Sequence, residues 1–363
     1  MSGKRQHFIP QFLQRGFTVS DDAANAWVFH KERPPLNTNT KNIALEGQFY
    51  SQDGDTSVDD AITEDEAGLA KFVEELRGAA DGDGVEPQRA ARLIAHMLIR
   101  TRHVRENFRR MTGGLVTGLY AALSDPEKLV AVFTRHFEDD ENLIRALRRS
   151  LTMAFADRPP EQLNRLLGEA ATRGALREAR AVLPQLFAAG AVEIATALKA
   201  EGDLAQSLLK DAMKSGHLKA LKRFGTGSAR EEAFTKLKFH VCKCPEGNLI
   251  LGDSAVVYAI EGARQVAPLN DSTMPMIGVL LPLDSETCLI GELDEPCAVF
   301  SNAESVREAI AASSLEFFIA PANTNENRQL VETIGRQAHL LNEAEVVEIL
   351  EGLSLGGEQQ SNA

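Results

Sequence analysis

Apolar positions recur along this chain at two different spacings, and the places where the spacing changes divide it into three regions. From Ala26 to about Tyr50 the apolar runs are short, "AWVFH" and "IALEGQFY", with the turn-rich "KERPPLNTNTKN" between them. Short runs bounded by Pro and Asn clusters predict a strand pair or strand-like arm. From Val58 to about Phe224 the period becomes 3.6, with breaks at "GAADGDGVEP", "SDPEK", "DRPPEQ" and "EGD". That pattern predicts roughly seven helices, one of them starting at Asp157 ahead of two prolines and a first-turn glutamate. After "GTGSAREE" strands return in "AFTKLKFHVCKC", "NLILGDSAVVYAI", "MIGVLLPL" and "ETCLIGEL", and then "SVREAIAASS" reads as helix, "LEFFIA" as strand and "NRQLVETIGRQAHLL" as helix.

The expected class is therefore α+β. An N-terminal strand-like segment covers 1–56, a large central helical region covers 57–225, and a C-terminal, mostly antiparallel sheet with helices covers 226–342. An acidic tail over 343–363 is expected to be disordered. Two short strands are at best marginal alone in water, so the N-terminal arm is expected to pack beside the C-terminal sheet.

Composition narrows the class without naming a reaction. The 363 residues are 44% hydrophobic and 25% charged, ordinary for a folded protein of about two domains. A formal net charge of -13 excludes a surface that binds nucleic acid throughout, because such binding releases counterions through Lys and Arg. A local basic patch stays open to a phosphate-bearing ligand or nucleic acid. The start "MSGKRQHF" has no signal-like apolar run, and no stretch approaches the roughly 18 apolar residues of a membrane helix. A cytoplasmic protein with no membrane partner is expected. Cys242, Cys244, Cys288 and Cys297 are too sparse for a disulfide framework, and reduced thiols are the expectation.

The most information-dense stretch is "QHFIPQFLQRGF", residues 6–17. Pro10 suits a helix start, where its missing N–H has no partner to lose, and Gly16 suits the stop. One or two helical turns are expected, held in the core by Phe8, Phe12, Leu13 and Phe17, with His7 just before the start and Gln11 and Gln14 beside it. Two readings stand: a hydrophobic plug whose histidine caps or packs, and a partly accessible polar pocket that uses His7 and Gln11.

The segment His7-x-x-Pro10-Gln11-Phe12-x-x-Arg15-x-Phe17 resembles the opening of the bacterial family known as domain of unknown function 4238. Further pieces fall in that family's order. "AWVFHKE" is similar to its following strand, "IALEGQFYS" to its aromatic stop, "VDDAITEDEA" to its helix start carrying Glu66, and "RLIAHMLIRTRHVRENF" to its arginine-bearing helix. "NLILGDSAVV" is similar to its strand ending in Asp253, "IGVLLPLDSETCLI" to its Pro-Leu strand, and "IAPANTNENRQLVETI" to its closing Asn-bearing helix. The family's usual Asp-Asn-Pro is Asp253-Ser254-Ala255 here, and the stretch from about Asp125 to Phe224 has no counterpart, so an inserted helical module over 125–224 is expected. The resemblance implies an organisation and a set of candidate residues, and no reaction.

From Pro87 to about Arg110 a single helix is expected, holding Arg89, Arg92, Arg100, Arg102, Arg105, Arg109 and Arg110 against Glu86 and Glu106. Ile94, Met97, Leu98, Thr101, Val104 and Phe108 form its packing stripe, and His96, Arg100, His103 and Asn107 recur along one flank. The bland outcome is a solvated basic face paired with the acidic "TEDEAGLAKFVEE" helix. The functional outcome is an anion site drawn from Arg100, Arg102, His96 and His103, since a guanidinium can grip phosphate or carboxylate with two hydrogen bonds.

In "KFHVCKC" a period of two puts His240, Cys242 and Cys244 on one face, and a tight turn at "PEGN" is expected to pair Cys244 with Leu249, Cys242 with Leu251 and His240 with Asp253. A structural zinc wants a second ligand pair, and Cys288 and Cys297 are not spaced like one, so the cysteines read as small buried hydrophobes. Asp59, Asp60, Glu64, Asp65 and Glu66 could supply a divalent-cation site, but an acidic helix start favoured by the helix dipole explains them more simply. The chain has no GxGxxG after a strand and no GxxxxGKS/T, HExxH or GxSxG, which leaves nucleotide loops, zincins and esterase elbows without a motif.

Two functions from different classes follow. In one, His7, Gln11, Glu66 and Asp253 are catalytic groups of a single pocket and Arg100 holds phosphate. That is an enzyme acting on phosphodiester or nucleotide substrates, nuclease-like or hydrolytic, in a bacterial defence or stress setting. In the other, the chain is a non-catalytic anion-binding or sensor protein whose helical region docks a protein partner. The metal is left unassigned, a divalent ion being the one cofactor entertained.

Overall fold

The N-terminal arm finds its strand partners near the other end of the sequence. The computed structural model describes residues 5–19, 24–47, 57–123, 125–155, 159–170, 172–200, 229–261, 266–267, 275–338, 340–342 and 344–346. In chain order the elements are β1 (Arg5–His7), α1 (Gln11–Gln14), β2 (Asn25–His30), β3 (Arg33–Asn39), β4 (Leu45–Gly47), α2 (Ser57–Arg77), β5 (Gly84–Val85), α3 (Pro87–Arg100), α4 (Arg102–Leu123), α5 (Pro126–His136), α6 (Asp140–Ala154), α7 (Pro160–Ala170), α8 (Arg173–Ala200), α9 (Ala229–Phe234), β6 (Lys238–Lys243), β7 (Leu251–Gly252), β8 (Val257–Ile260), β9 (Val266–Ala267), β10 (Met276–Pro282), β11 (Thr287–Glu292), α10 (Ala303–Ser313), β12 (Phe317–Ala320) and α11 (Asn325–Leu330). The class is α+β, with antiparallel sheets. No helix among the described residues is long and apolar enough to cross a membrane.

The chain divides into two units, residues 1–111 with 212–346 and residues 112–211 with 347–363. The first holds the sheets. A four-stranded sheet runs β3-β2-β12-β7, so the N-terminal hairpin is built onto a C-terminal strand, with Phe29 opposite Phe318 and their rings stacked 5.0 Å apart. A second sheet of six strands runs β5-β6-β11-β10-β8-β9, and β1 pairs with β4 as a separate ribbon. The expected packing of the arm against C-terminal strands is what forms. Ile94 and Leu98 of α3 and Phe72 of α2 lie in one core with Val241, Leu280 and Ile319 of the sheets.

Two local expectations are corrected. The "PEGN" hairpin does not form: β6 lies between β11 and β5, while Leu251 belongs to β7 and pairs with β12. Consequently His240 stands opposite Ile290 and Gly84, away from Asp253. β11 is buried at five of its six positions, and the backbone groups of a strand so covered need partners on both edges, which β10 and β6 supply. The long arginine helix is also broken, because Thr101 is extended (φ -66°, ψ 145°). Its hydroxyl donates to Leu98 O at 2.9 Å, the local side-chain bond by which threonine competes with helix. The flank His96, Arg100, His103 and Asn107 is therefore not one continuous stripe.

In the second unit α5 and α6 begin at aspartate caps, Asp125 and Asp139, each accepting two backbone N–H groups. Phe187 of α8 stacks on Phe133 and Phe137, and Arg180 donates to the Phe137 and Glu138 carbonyls. The helix start at Asp157, residues 201–228 of the helical module and the tail from 347 lie outside the described residues.

Candidate functional site

His7 closes β1, and the rest of its motif explains how the ring is held. Phe8, Ile9, Leu13 and Phe17 are buried, and Phe12 is partly buried against the same core, each side chain contributing about 1.5–3 kcal/mol when fully covered. His7 Nδ1 donates to the Ile43 carbonyl at 2.9 Å. That bond selects the tautomer and leaves Nε2 to accept the Gln11 amide at 2.7 Å. Gln14, fully buried, donates to Ile9 O at 2.6 Å, and its Oε1 meets no donor among the described residues. Gly16, expected as a helix stop, has another reason to be glycine. A Cβ there would lie 2.5 Å from the Leu283 carbonyl oxygen and 2.5 Å from Arg77 Nη2, while the chain runs on as a 3-10 turn to Phe17.

Arg100, at the end of α3, reaches into this segment. Its Nη2 donates to the His7 carbonyl at 2.7 Å, and its Nη1 pairs with Glu66 of α2 and donates to His96 Nε2 at 3.0 Å. The side chain is 2% exposed. A guanidinium so placed must have acceptors for its N–H groups, and here the protein supplies them. Thus His7, Gln11, Glu66, His96 and Arg100 do come together, but Arg100 clasps protein groups where a ligand phosphate was expected.

Loss of solvent, reinforced by the Arg100 and Arg92 charges, lowers the His96 pKa to about 3. His96 is thus neutral at pH 7 and accepts from Arg100. The unfolded chain takes up this proton near pH 6.5, so folding stability is lost as pH falls through 6.5 toward 3. We expect the stability difference between the parent and His96→Gln, measured by urea unfolding from pH 7 to pH 4, to drop by about 1.4 kcal/mol per pH unit below 6.5. A pH-independent difference would show that His96 is not a buried neutral base.

The other site candidates have partners of their own. Asp253 is buried between β7 and β12, where Oδ1 accepts Leu315 N–H at 2.6 Å and Oδ2 accepts Glu316 and Phe317 N–H at 2.7 and 3.3 Å. Burial raises its pKa to about 6 against those three donors, with Glu316 adding to the rise. Asp253 clamps the chain entering β12, with both carboxylate oxygens engaged by backbone N–H groups. His103 is buried against Asn107, whose Oδ1 accepts Leu341 N–H at 2.8 Å. Of the acidic helix start, Asp65 pairs with Arg92 at 2.5 Å and Glu66 with Arg100, and the side chains of Asp59, Asp60 and Glu64 lie outside the described residues.

Arg102 belongs to a surface cleft of about 650 Å³ lined by His30, Lys31, Glu32, Arg33, Arg102, Glu106, Arg110 and Glu316, with Leu315 and Leu340. Four full cations face three carboxylates there, although the chain is strongly acidic. Glu316 holds Arg102 and lies 3.6 Å from His30 Nε2, and Glu106 holds Arg110 at 3.2 Å. Lys31 and Arg33, at the tip of the β2–β3 hairpin, are exposed and make no ion pair among the described residues.

The family described as "Protein of unknown function (DUF4238)" matches residues 5–330. The chain belongs to this family. No curated protein and no solved structure matches it. In this DUF4238 chain Asp253 is followed by Ser254 and Ala255, and Ala255 sits at φ 52°, a conformation closed to proline. The sequence reasoning missed His30, Lys31 and Arg33, whose signal was three basic residues around one hairpin turn, "HKER". Cys288 of β11, set aside on its spacing in the sequence, lies directly across from Cys242. The Cys242, Cys244 and Cys288 sulfurs lie within 4.8 Å of one another. The Cys244 and Cys288 thiols favour the thiolate of Cys242, and that charge with burial pushes theirs up.

Proposed function

We propose that this DUF4238 chain binds an anionic ligand bearing phosphate or carboxylate groups in the cleft beside the β2–β3 hairpin. The observation that carries the reading is the pairing pattern of the cations: Arg102 and Arg110 are steadied by Glu316 and Glu106, while Lys31 and Arg33 project toward solvent without an acidic partner among the described residues. Steadied guanidiniums lose little freedom on binding, and unpaired cations supply the attraction. A cleft of about 650 Å³ is of the size that holds a small molecule. Asp253 serves this cleft indirectly, because it clamps the backbone of Leu315 and Glu316, both of which line it.

The phosphodiester or nucleotide enzyme is a second reading, favoured by one observation: His7 has its Nδ1 tied to Ile43 O, the arrangement that presents Nε2 as a base. In that reading the Gln11 amide yields its place to a substrate proton.

Titration calorimetry with pyrophosphate and with a nucleoside monophosphate tests the binding reading. Lys31→Glu/Arg33→Glu is expected to weaken whichever probe binds by about tenfold or more, since each lost charge-assisted hydrogen bond is worth about 1.5–3 kcal/mol. Affinity is also expected to fall as salt is raised. Unchanged affinity in the double variant sinks the cleft. Loss of affinity in His7→Asn with the double variant unaffected moves the site to the N-terminal motif.

A further inference from the structure

Three of the four cysteines meet in the six-stranded sheet, far from the cleft in sequence and without a part in it. Cys242 lies near the end of β6 and Cys244 directly after the strand, and the β6–β11 register sets Cys288 directly opposite Cys242. All three sulfurs lie within 4.8 Å of one another. Three points so spaced have a common centre roughly 2.8 Å or less from each, and a thiolate bound to zinc stands at about 2.3 Å, so a contraction of about half an ångström or less closes the set. Cys244 and Cys288 are buried and Cys242 is half-buried, so an ion has a way in. Beside this end of β6 the chain passes through Gly82 and Gly84, where a Cβ would meet open space. Cys297 is the contrast: buried, outside the cluster, its thiol directed at the Ile277 carbonyl at 3.5 Å, it behaves as a small hydrophobe.

We propose that Cys242, Cys244 and Cys288 form a three-thiolate site for a soft d10 cation, zinc(II) or copper(I). Binding replaces the thiol protons with Sγ–metal bonds, and the protons pass to solvent. No electron transfer is required. Three protein ligands satisfy a trigonal copper(I), and for a tetrahedral zinc(II) they leave one position to water. The site ties the end of β6 to β11, two neighbouring interior strands of the sheet, so occupancy also stabilises the fold by the binding free energy.

The reduced, full-length chain is titrated with zinc(II), and separately with copper(I) without oxygen, each against a chromophoric chelator. At least one ion is expected to bind at about one per chain and to raise the unfolding temperature. Cys242→Ser and Cys288→Ser are expected to lose more affinity than the roughly 10–100-fold that removal of an outer hydrogen bond brings, while Cys297→Ser keeps it. Because Cys288 is fully buried and its variant risks misfolding, a second measurement uses the parent alone. There the bound ion should protect Cys242, the half-buried member of the three, from alkylation, read by peptide mass spectrometry. Equal affinity in the parent and Cys242→Ser, no protection by either ion, or a Cys242–Cys288 disulfide in place of a bound metal each overturns the proposal.

Discussion

Arg100→Ala is expected to destabilise the chain by about 3–5 kcal/mol, the range for removing one partner of a buried ion pair. The guanidinium is 2% exposed and holds three elements at once: Glu66 of α2, His96 of its own helix and the backbone of His7. Truncation leaves the Glu66 carboxylate, the His96 ring nitrogen and the His7 carbonyl without the donors they now have. Glu66 retains 29% of its exposure and recovers some hydration, which places the loss toward the lower end of the range. Arg100→Lys should recover only part, because an ammonium cannot reach these divergent acceptors with a flat fork. Removing both charges in Arg100→Met/Glu66→Leu should be milder than Arg100→Ala, since no buried charge is then orphaned. Urea unfolding of the three variants checks this, and a loss below about 1 kcal/mol in Arg100→Ala would mark the pair as a surface contact.

Asp253→Ala is expected to cost about 3 kcal/mol or more, because it strips the acceptor from three backbone N–H groups and each buried donor left unpaired costs about 1–3 kcal/mol. The groups are those of Leu315, Glu316 and Phe317. Asp253→Asn should lose less, since its one remaining oxygen still accepts. The clamp also orders Glu316, which holds Arg102, so anion affinity should decline in Asp253→Ala along with thermal stability. A variant of full stability that loses activity alone would return Asp253 to a catalytic role. Burial raises the Asp253 pKa to about 6, so its own contribution declines as pH rises from about 4 toward 6, opposite in sense to His96. Comparing His96→Gln with the parent at each pH cancels that slope.

What was legible in the sequence was local. The change from a period of two to 3.6 and back marks the α+β organisation, since periodicity reports which face of each element is buried. Pro10 and the apolar residues around His7 announce a segment fixed in the core, because so much apolar surface in twelve positions is unfavourable in water. The spacing of His7, Gln11 and Gln14 places them together within two helical turns. Tertiary structure decided everything that depends on which strand lies beside which. Cys288 meets Cys242 because β11, held by β10 on one edge, takes β6 on the other, a pairing invisible at a separation of 46 residues. Arg100 turned inward because the break at Thr101 ends its helix beside the His7 backbone and Glu66, so a charge that periodicity assigns to a helix flank is buried among protein acceptors. Asp253 became a backbone clamp for the same reason, as β7 pairs with β12 and presents it to three N–H groups that would otherwise go unmet. A side chain's chemistry is written in its residue type, but its task is set by the partners that long-range pairing brings to it.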